Sequence, residues 1–422
     1  MWIYDRDGKA YLDGSSGALV CNLGHGNKTI IDEIYNQMQR ISFAHTSQFT
    51  TDNLEQYAAK LAEILPGDLN YAYFLCGGSE AMDTAVKLAR QYHIERGKSS
   101  KYKIIARWTS FHGHTLGALS IGGYASWRKP HDPVLIPALH INPPFCYHCP
   151  FGLSHPDCRM KCANDLEDLI LREGPDTVSA FVFEPIIGSS AGGVSPPDEY
   201  FRIVREICDK YEIVVIADEV MCGFGRSGKF FASEHWNFQP DIMVCGKGMA
   251  SGYAPLGGVM ISSKIYETYK QGSGRFIHGH TYSGNPVSVT AGKAVLDYML
   301  GHAVLDNVND RGTQLEKLLR ELMNEFPFIG DVRGKGLMWG VEIVRDRSTK
   351  EPFDPSLQLT NRLVKLCFDN GLIVYPSQKF LLGQAGDSVM IAPPLIIDAG
   401  EIEILIEKLR AALRQFQEQM LH

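Results

Sequence analysis

The chain has no hydrophobic run long enough to cross a membrane. None of its apolar stretches reaches the roughly 18 residues that a membrane-spanning helix needs, and its first residues lack the pattern of a signal peptide. Runs of basic residues are missing too, since 41 Lys and Arg stand against 48 Asp and Glu and give a net charge of −7. We therefore expect a cytoplasmic protein with neither a membrane nor a nucleic acid as a partner.

Neither of two common nucleotide-binding signatures is present in full. The pattern GxxxxGK[ST] of a phosphate-binding loop does not occur anywhere in the chain. Gly223, Gly225 and Gly228 have the spacing of a dinucleotide fingerprint, but an Asp-Glu pair precedes them and no clear helix begins there. A Rossmann-type dinucleotide site is therefore not expected.

Cysteine, by contrast, is abundant for a protein of this class, with ten residues. Four of them cluster as Cys146-x2-Cys149-x8-Cys158-x3-Cys162. Such spacing can hold a structural zinc ion, and local disulfides or reduced thiols are the alternatives that remain open. We expect no catalytic metal, because the cluster lies apart from the residues to which we assign the chemistry.

Two short apolar runs organise the chain, and a charged residue follows each of them. Ile213–Ala217 predicts a buried strand that ends at Asp218. Ile242–Cys245 predicts a second strand, followed by Lys247 between two glycines. A lysine at that place would enter a cleft, where burial lowers its pKa and favours the nucleophilic amine.

An Asp and a Lys at strand ends match the two protein groups that pyridoxal phosphate needs. The Lys would bind the cofactor aldehyde as a Schiff base, and the Asp would keep the pyridine nitrogen protonated. The run from Asp218 to Lys247, with its Asp-Glu-Val and Gly-Phe-Gly-Arg, resembles the signature of the class III pyridoxal-phosphate aminotransferases, the ω-amino acid and amine type. The resemblance extends from about Tyr4 to Leu413.

This resemblance implies an α/β protein of fold type I, with a large domain built on a mostly parallel sheet and a smaller α+β domain. Alternation of predicted strands and helices through the middle of the chain favours the same sheet. We expect residues 1–45 to form the N-terminal part of the small domain, 46–303 the large cofactor-binding domain and 304–422 the rest of the small domain. Ligands of such a sheet collect at the carboxyl ends of its strands.

The expected phosphate ligands are Gly78 and Ser79, which come at the start of a predicted helix. The N–H groups and the dipole of a helix N-terminus favour an anion, and this segment resembles the phosphate-binding turn of the family. The resemblance further implies that Phe111 stacks on the cofactor ring and that Val220 packs against its other face. For His112, a role in holding the ring and a purely structural role both remain open.

Three more residues take roles that only the resemblance implies. Glu184 ends the predicted strand Val178–Phe183 and would lie near the cofactor ring and the substrate. Thr281 would cross to the neighbouring subunit and bind its phosphate, which implies a homodimer with shared active sites and leaves a tetramer open. Leu19 stands in a glycine-rich loop that reaches the substrate pocket in the family, and Phe111 would line the same pocket. Members of the family usually carry about one more helix before this N-terminal region.

The substrate prediction depends on two methionines. Met221 stands where the ornithine type has Gln, and Met390 stands where members selective for an α-carboxylate often place Arg. The segment Pro376–Asp387 holds no Arg, so Lys379 would be the remaining cation for a substrate carboxylate, and it cannot bind one in the two-pronged manner of Arg. We expect a ping-pong transfer from an ω-amino acid or amine to a keto acid such as pyruvate. Decarboxylating transamination, aminomutase or lyase chemistry, and a non-catalytic scaffold with a zinc site, are the alternatives.

Overall fold

The computed structural model describes residues 1–381 and 384–420, without the side chains of residues 378–381 and 384–385. The described strands are, in chain order, β1 Trp2–Tyr4, β2 Ala10–Asp13, β3 Tyr71–Leu75, β4 Lys103–Arg107, β5 Leu139–Ile141, β6 Val178–Phe183, β7 Val214–Asp218, β8 Ile242–Cys245, β9 Gly257–Ile261, β10 Ile329–Lys335, β11 Met338–Ile343, β12 Leu372–Ile373, β13 Tyr375–Leu381 and β14 Gln384–Ile391. The described helices are α1 Ser16–Leu19, α2 Lys28–Arg40, α3 Asp52–Ile64, α4 Gly78–Glu95, α5 Leu116–Ile121, α6 Ala125–Arg128, α7 Lys161–Glu173, α8 Tyr200–Lys210, α9 Ser263–Gln271, α10 Pro286–Gly301, α11 Val304–Glu325, α12 Leu359–Asp369 and α13 Ala399–Met420.

A sheet of seven strands, in the order β3-β9-β8-β7-β6-β4-β5, forms the centre of the protein. Its strands run parallel except β9, which is antiparallel to both of its neighbours. Both faces are covered: along β7, Val214 and Ile216 pack in a cluster with α4, whereas Val215 and Ala217 pack in a cluster with α7 and α8. This double burial explains why the central strands are continuously apolar, and it confirms the predicted α/β fold.

Two smaller sheets carry the rest of the strands. One is antiparallel, in the order β10-β11-β14-β13, and the other joins β1, β2 and β12. Helices α11, α12 and α13 contribute to one apolar core with β11 and β14. Because β2 pairs in parallel with β12, residues 10–13 and residues 372–373 belong to the same sheet although they are far apart in sequence.

All strands of the large sheet lie between residues 71 and 261, and those of the two smaller sheets lie in 2–13 and 329–391. The division into residues 1–45 with 304–422 and residues 46–303 stays a proposal. Within the part of the chain that the structure describes, no helix combines the length and the apolar character needed to cross a membrane.

Candidate active site

A cavity of about 140 Å³ opens at the carboxyl ends of the central strands of the large sheet. Its walls come from the loops that follow β3, β4, β6, β7 and β8, so residues far apart in sequence converge there. The lining residues are Gly78, Ser79, Phe111, His112, Gly113, Glu184, Asp218, Val220, Met221 and Lys247. The structure therefore brings together eight of the residues that the sequence singled out for the cofactor.

Lys247 follows β8 and is held in a left-handed backbone conformation, with a φ of 46°. For a residue other than glycine this conformation is strained and is typical of functional sites. The next residue, Gly248, has no room for a side chain, because a Cβ there would lie 2.2 Å from the side-chain nitrogen Nδ2 of Asn22. Burial lowers the pKa of Lys247 to about 8, against the opposing effect of Asp218 and Glu184.

Asp218 is a buried carboxylate at the end of β7. Its Oδ2 lies 2.7 Å from Nδ1 of His112, and its Oδ1 accepts a hydrogen bond from the Val220 N–H at 3.1 Å. Nε2 of His112 is buried and has no hydrogen-bond partner among the described residues. The two bonds fix the orientation of the Asp218 carboxylate at the wall of the cavity. His112 lines the same cavity.

Glu184 fixes the loop that carries Phe111. Its Oε1 accepts a hydrogen bond from the Phe111 N–H at 3.0 Å, and its Oε2 accepts one from the Gly188 N–H at 2.9 Å. Burial raises the pKa of Glu184 above its ordinary value. A Cβ at Gly188 would lie 2.2 Å from the sulfur of Met221 and 3.4 Å from Glu184 Oε2, so this glycine leaves room for both side chains.

The first turn of α4 meets the cavity at Gly78 and Ser79. No side chain caps this helix, so its first N–H groups remain available to an anion. A Cβ at Gly78 would lie 3.0 Å from the side chain of Val220, so a larger residue would press into the cavity wall. Ser79 Oγ accepts a hydrogen bond from the His114 N–H at 3.1 Å, which ties this turn to the Phe111 loop.

The comparison that decides the family covers nearly the whole chain: the model of the class III aminotransferases matches residues 1–413. The chain belongs to the class III aminotransferases. It is 43% identical to the uncharacterised aminotransferase YodT of Bacillus subtilis, over 96% of this chain and 91% of that protein. It is 35% identical to the putrescine–pyruvate aminotransferase of Pseudomonas aeruginosa, over 98% of this chain and 89% of the relative.

Solved structures of the same type superimpose closely on this aminotransferase. An (S)-enantioselective ω-transaminase from Thermomicrobium roseum has a TM-score of 0.92 and 37% identity, over 98% of this chain and 91% of the other. An aminotransferase from Vibrio fluvialis, solved with pyridoxamine phosphate, has a TM-score of 0.91 and 32% identity, over 99% and 91% of the two chains. The chain thus has the fold-type I architecture of pyridoxal-phosphate enzymes.

The cofactor of the family fits the cavity of this aminotransferase. Lys247 supplies a primary amine and Asp218 a buried carboxylate on the neighbouring strand. The uncapped helix start at Gly78 suits a phosphate, and the unpartnered Nε2 of His112 leaves a polar atom at the wall. We therefore regard the residues present as a suitable binding site for pyridoxal phosphate.

Three predicted residues of the aminotransferase lie outside this lining. Thr281 is exposed and does not line the cavity of its own chain. Lys379 belongs to β13, and its side chain lies outside the described part of the structure. Leu19 is buried in an apolar cluster that adjoins the cavity through Met221. We call this cluster the apolar wall; it consists of Leu19, Ile186, Met221, Cys222, Ala232, Met338, Met390 and Ala392.

The sequence analysis missed residues that surround the site. Trp127 of α6 lies with its ring 5.1 Å from that of Phe111, at right angles to it, and Tyr124 lies 5.1 Å from Trp127. The available signal in the sequence was the pair of aromatic residues, Tyr124 and Trp127, that follows the Phe111 loop. Arg226 was recognised as part of the signature but received no role; it is fully buried beside the apolar wall.

Within the described residues, the structure does not bring the four clustered cysteines together as metal ligands. The four cysteines line one small cavity and are free thiols, and within residues 1–381 and 384–420 no three or more His, Cys, Asp or Glu side chains converge as metal ligands. Cys162 instead packs in the apolar core beneath α7, where burial raises its pKa to about 12. The zinc, disulfide and reduced-thiol interpretations of this cluster therefore stay predictions.

Proposed function

We propose that this aminotransferase moves an amino group from an ω-amino acid or amine to a small keto acid such as pyruvate, in a ping-pong sequence. The observation that supports this donor class is the charge of the cavity. Among the described residues that line it, Lys247 is the only lysine or arginine. An α-carboxylate beside the transferred amino group would need a cation there, and arginine serves best. The relative named a putrescine–pyruvate aminotransferase and the neighbours named ω-transaminases support the same class.

The proposal assigns roles in the reaction to four residues of the cavity, His112 among them. When bound, pyridoxal phosphate supplies the electron sink for the bond that breaks at the amine-bearing carbon. Lys247 binds the cofactor and then carries the proton to and from that carbon; its pKa of about 8 makes the neutral amine available near physiological pH. Asp218, oriented by His112, holds a proton on the ring nitrogen. Glu184 positions the loop of Phe111.

The remaining roles concern binding. Gly78 and Ser79 hold the phosphate through the N–H groups of the first turn of α4. Phe111 and Val220 both line the cavity, where they would enclose the ring from two sides and keep water away from the reacting atoms. The apolar wall receives the hydrocarbon part of the donor, and Leu19 belongs to it.

A donor panel tests the substrate class. With pyruvate as acceptor, simple amines, β-alanine and taurine are expected to give alanine with a kcat/KM about 10- to 100-fold above that of α-amino acids, because an unpaired carboxylate costs roughly 1.5–3 kcal/mol. Formation of alanine, together with loss of the visible absorption of the cofactor, is the measurement. Equal rates with α-amino acids would contradict the proposed donor class.

Lys379→Ala is the matched variant of this panel. If Lys379 pairs with the carboxylate of ω-amino acids, the variant loses activity toward β-alanine and keeps it toward simple amines. Release of carbon dioxide or ammonia without alanine would instead favour decarboxylating or lyase chemistry on the same fold.

We further propose that the enzyme is a homodimer. Phe43 and Tyr282 pack edge to face at 5.9 Å, so residues 43–49 and 277–283 share one surface. That surface exposes large apolar side chains: Phe49 is 65% exposed and Ile277 71%. Apolar exposure on this scale is typical of an interface. The exposed Thr281 lies within the surface and would reach the phosphate bound by the partner subunit.

The dimer and the role of Thr281 can be tested together. Thr281→Ala is expected to leave the dimer intact and to weaken cofactor binding about tenfold, since a hydrogen bond to a charged group contributes roughly 1.5 kcal/mol. Sedimentation and cofactor titration measure the two effects. Ser283→Ala is the control, because that hydroxyl bonds to Thr46 of its own chain at 3.0 Å. A monomeric wild type that binds the cofactor tightly would refute the shared site.

A further inference from the structure

Arg226 is a fully buried arginine that is held by neutral oxygens. Its Nη1 donates hydrogen bonds to the carbonyl oxygens of Leu337, at 3.0 Å, and Pro393, at 2.5 Å. Its Nη2 donates to Ser16 Oγ at 3.0 Å and to Asn22 Oδ1 at 2.7 Å. A buried cation without a bonded carboxylate is costly to keep, which indicates that its position serves a purpose beyond stability.

The acceptors of Arg226 belong to three separate segments, and each segment contributes to the apolar wall. Ser16 begins the one-turn helix α1 that ends at Leu19. Leu337 directly precedes Met338, and Pro393 directly follows Ala392. Arg226 therefore joins the loop of α1, the turn between β10 and β11 and the segment after β14. It comes five residues after Met221, at which the wall meets the cofactor cavity.

The loop of α1 has a strained backbone. Ser16 and Leu19 both have left-handed conformations, with φ of 51° and 58°, which residues other than glycine rarely adopt. Such strain persists only where surrounding contacts fix it. Ser16 Oγ also donates to the Ala392 carbonyl at 2.8 Å, and the Leu395 N–H donates to the Asn22 carbonyl at 2.7 Å. The guanidinium lies at the centre of this set of bonds.

We propose that Arg226 is a positioning residue: it holds the segments of the apolar wall at a fixed place relative to Lys247 and thereby determines which donors the enzyme accepts, without touching the donor. The part of this inference that concerns donors rests on the proposed function. Because a guanidinium bonds four acceptors with one rigid plane, lysine cannot replace it geometrically.

The charge of Arg226 has a second effect, on Lys247. Burial is the main cause of the lowered pKa of Lys247, the carboxylates Asp218 and Glu184 oppose it together with Cys222, and the Arg226 cation lowers it further. Removal of that cation must therefore raise the pKa of Lys247. A lysine at position 226 would lose the bonds, and burial would lower its pKa as it lowers that of Arg226 to about 9, whereas glutamine would lose the charge at every pH.

Two measurements on Arg226→Gln and Arg226→Lys separate charge from geometry. In the full-length, cofactor-free protein, acetylation of Lys247 by acetic anhydride, followed by mass spectrometry, should rise about tenfold per pH unit and level off near pH 8. Arg226→Gln should move this midpoint upward, and Arg226→Lys should move it upward by the same amount or less, according to how much charge the buried lysine keeps. In the holoenzyme, both variants should raise KM for a bulky aromatic amine about tenfold relative to propylamine, with kcat within about threefold.

Lys101→Met is the matched control, because Lys101 is also a buried cation held by carbonyls. Its Nζ donates to the carbonyl oxygens of Pro175, Val178 and Tyr211 at 2.8–3.0 Å, at the opposite end of the large sheet. Its loss should lower Tm and leave both the acetylation midpoint and the ratio of KM values unchanged.

A folded Arg226→Gln with the wild-type midpoint and the wild-type ratio of KM values would overturn the inference. If neither Arg226 variant folds, Ser16→Ala decides, since it removes one acceptor and should raise the same ratio by a smaller factor; an unchanged ratio would then overturn it. Failure of the wild type to use any amine would refute the proposed function alone, because the acetylation midpoints still report on Arg226.

Discussion

Lys247→Ala is expected to lower amino transfer by about 10⁴-fold or more. Lys247 is the only amine among the described residues that line the cavity, so the variant loses both the attachment point of the cofactor and the group that carries the proton. The variant should still take up pyridoxal phosphate, because the helix start at Gly78 and the Asp218 carboxylate are unchanged. Alanine formation from pyruvate measures the first effect and equilibrium dialysis the second.

The stability of this variant gives an independent check. Burial lowers the pKa of Lys247 to about 8 from an ordinary value near 10.5, so the charged amine destabilises the folded state below pH 8, and this cost fades as the pH rises from 8 to 10.5. Lys247→Ala should therefore not lower Tm at pH 7, and any gain should shrink across that window. Lys229→Ala, which removes an exposed lysine, is the control. Activity above about one per cent of wild type would refute the assignment of Lys247.

Asp218→Asn is expected to lower kcat about 10³-fold, the order of magnitude for losing a preorganised charge at a reacting centre. An amide cannot hold a proton on the ring nitrogen as a carboxylate does. The substitution also removes the negative charge beside Nδ1 of His112. His112→Ala, which only frees the carboxylate, should cost about tenfold. Kinetics with an amine donor and pyruvate measure both effects.

Glu219→Gln is the matched control for Asp218→Asn, because Glu219 is the next residue and is also a buried carboxylate. Its oxygens accept hydrogen bonds from the N–H groups of Ala232, at 2.9 Å, and Ser233, at 2.7 Å, and so hold a turn rather than the cavity. This control should lower Tm and keep kcat. Near wild-type kcat in Asp218→Asn would contradict the proposed role of Asp218.

Part of the fold could be predicted because its signal is local. Continuous apolar runs gave the bounds of Val178–Phe183 and Ile242–Cys245 as the structure has them. The strand Gly257–Ile261 was missed, because two glycines begin it and glycine weakens a strand pattern. Its antiparallel direction depends on its neighbours, β3 and β8, and no local pattern carries that information.

The same distinction applies to the candidate site. Lys247, Asp218 and Glu184 could be placed together because each follows a predicted strand of one parallel sheet. The bond between His112 and Asp218, and the four acceptors of Arg226, depend on contacts across more than 100 residues of sequence. Cysteine spacing likewise permits several states of a loop, and the packing of Cys162 in the core depends on contacts that the spacing does not carry.

The pairing of β2 with β12 has a consequence for how the protein is made. Residues 10–13 wait for residues 372–373, which leave the ribosome some 360 residues later, whereas the strands of the large sheet are complete by residue 261. We expect the cofactor-binding half to fold while the chain is still growing. The apolar wall, which contains both Leu19 and Met390, can close only after residue 390 has left the ribosome. A growing chain would therefore complete the residues of the cofactor cavity before it completes the apolar wall that is proposed to receive the donor.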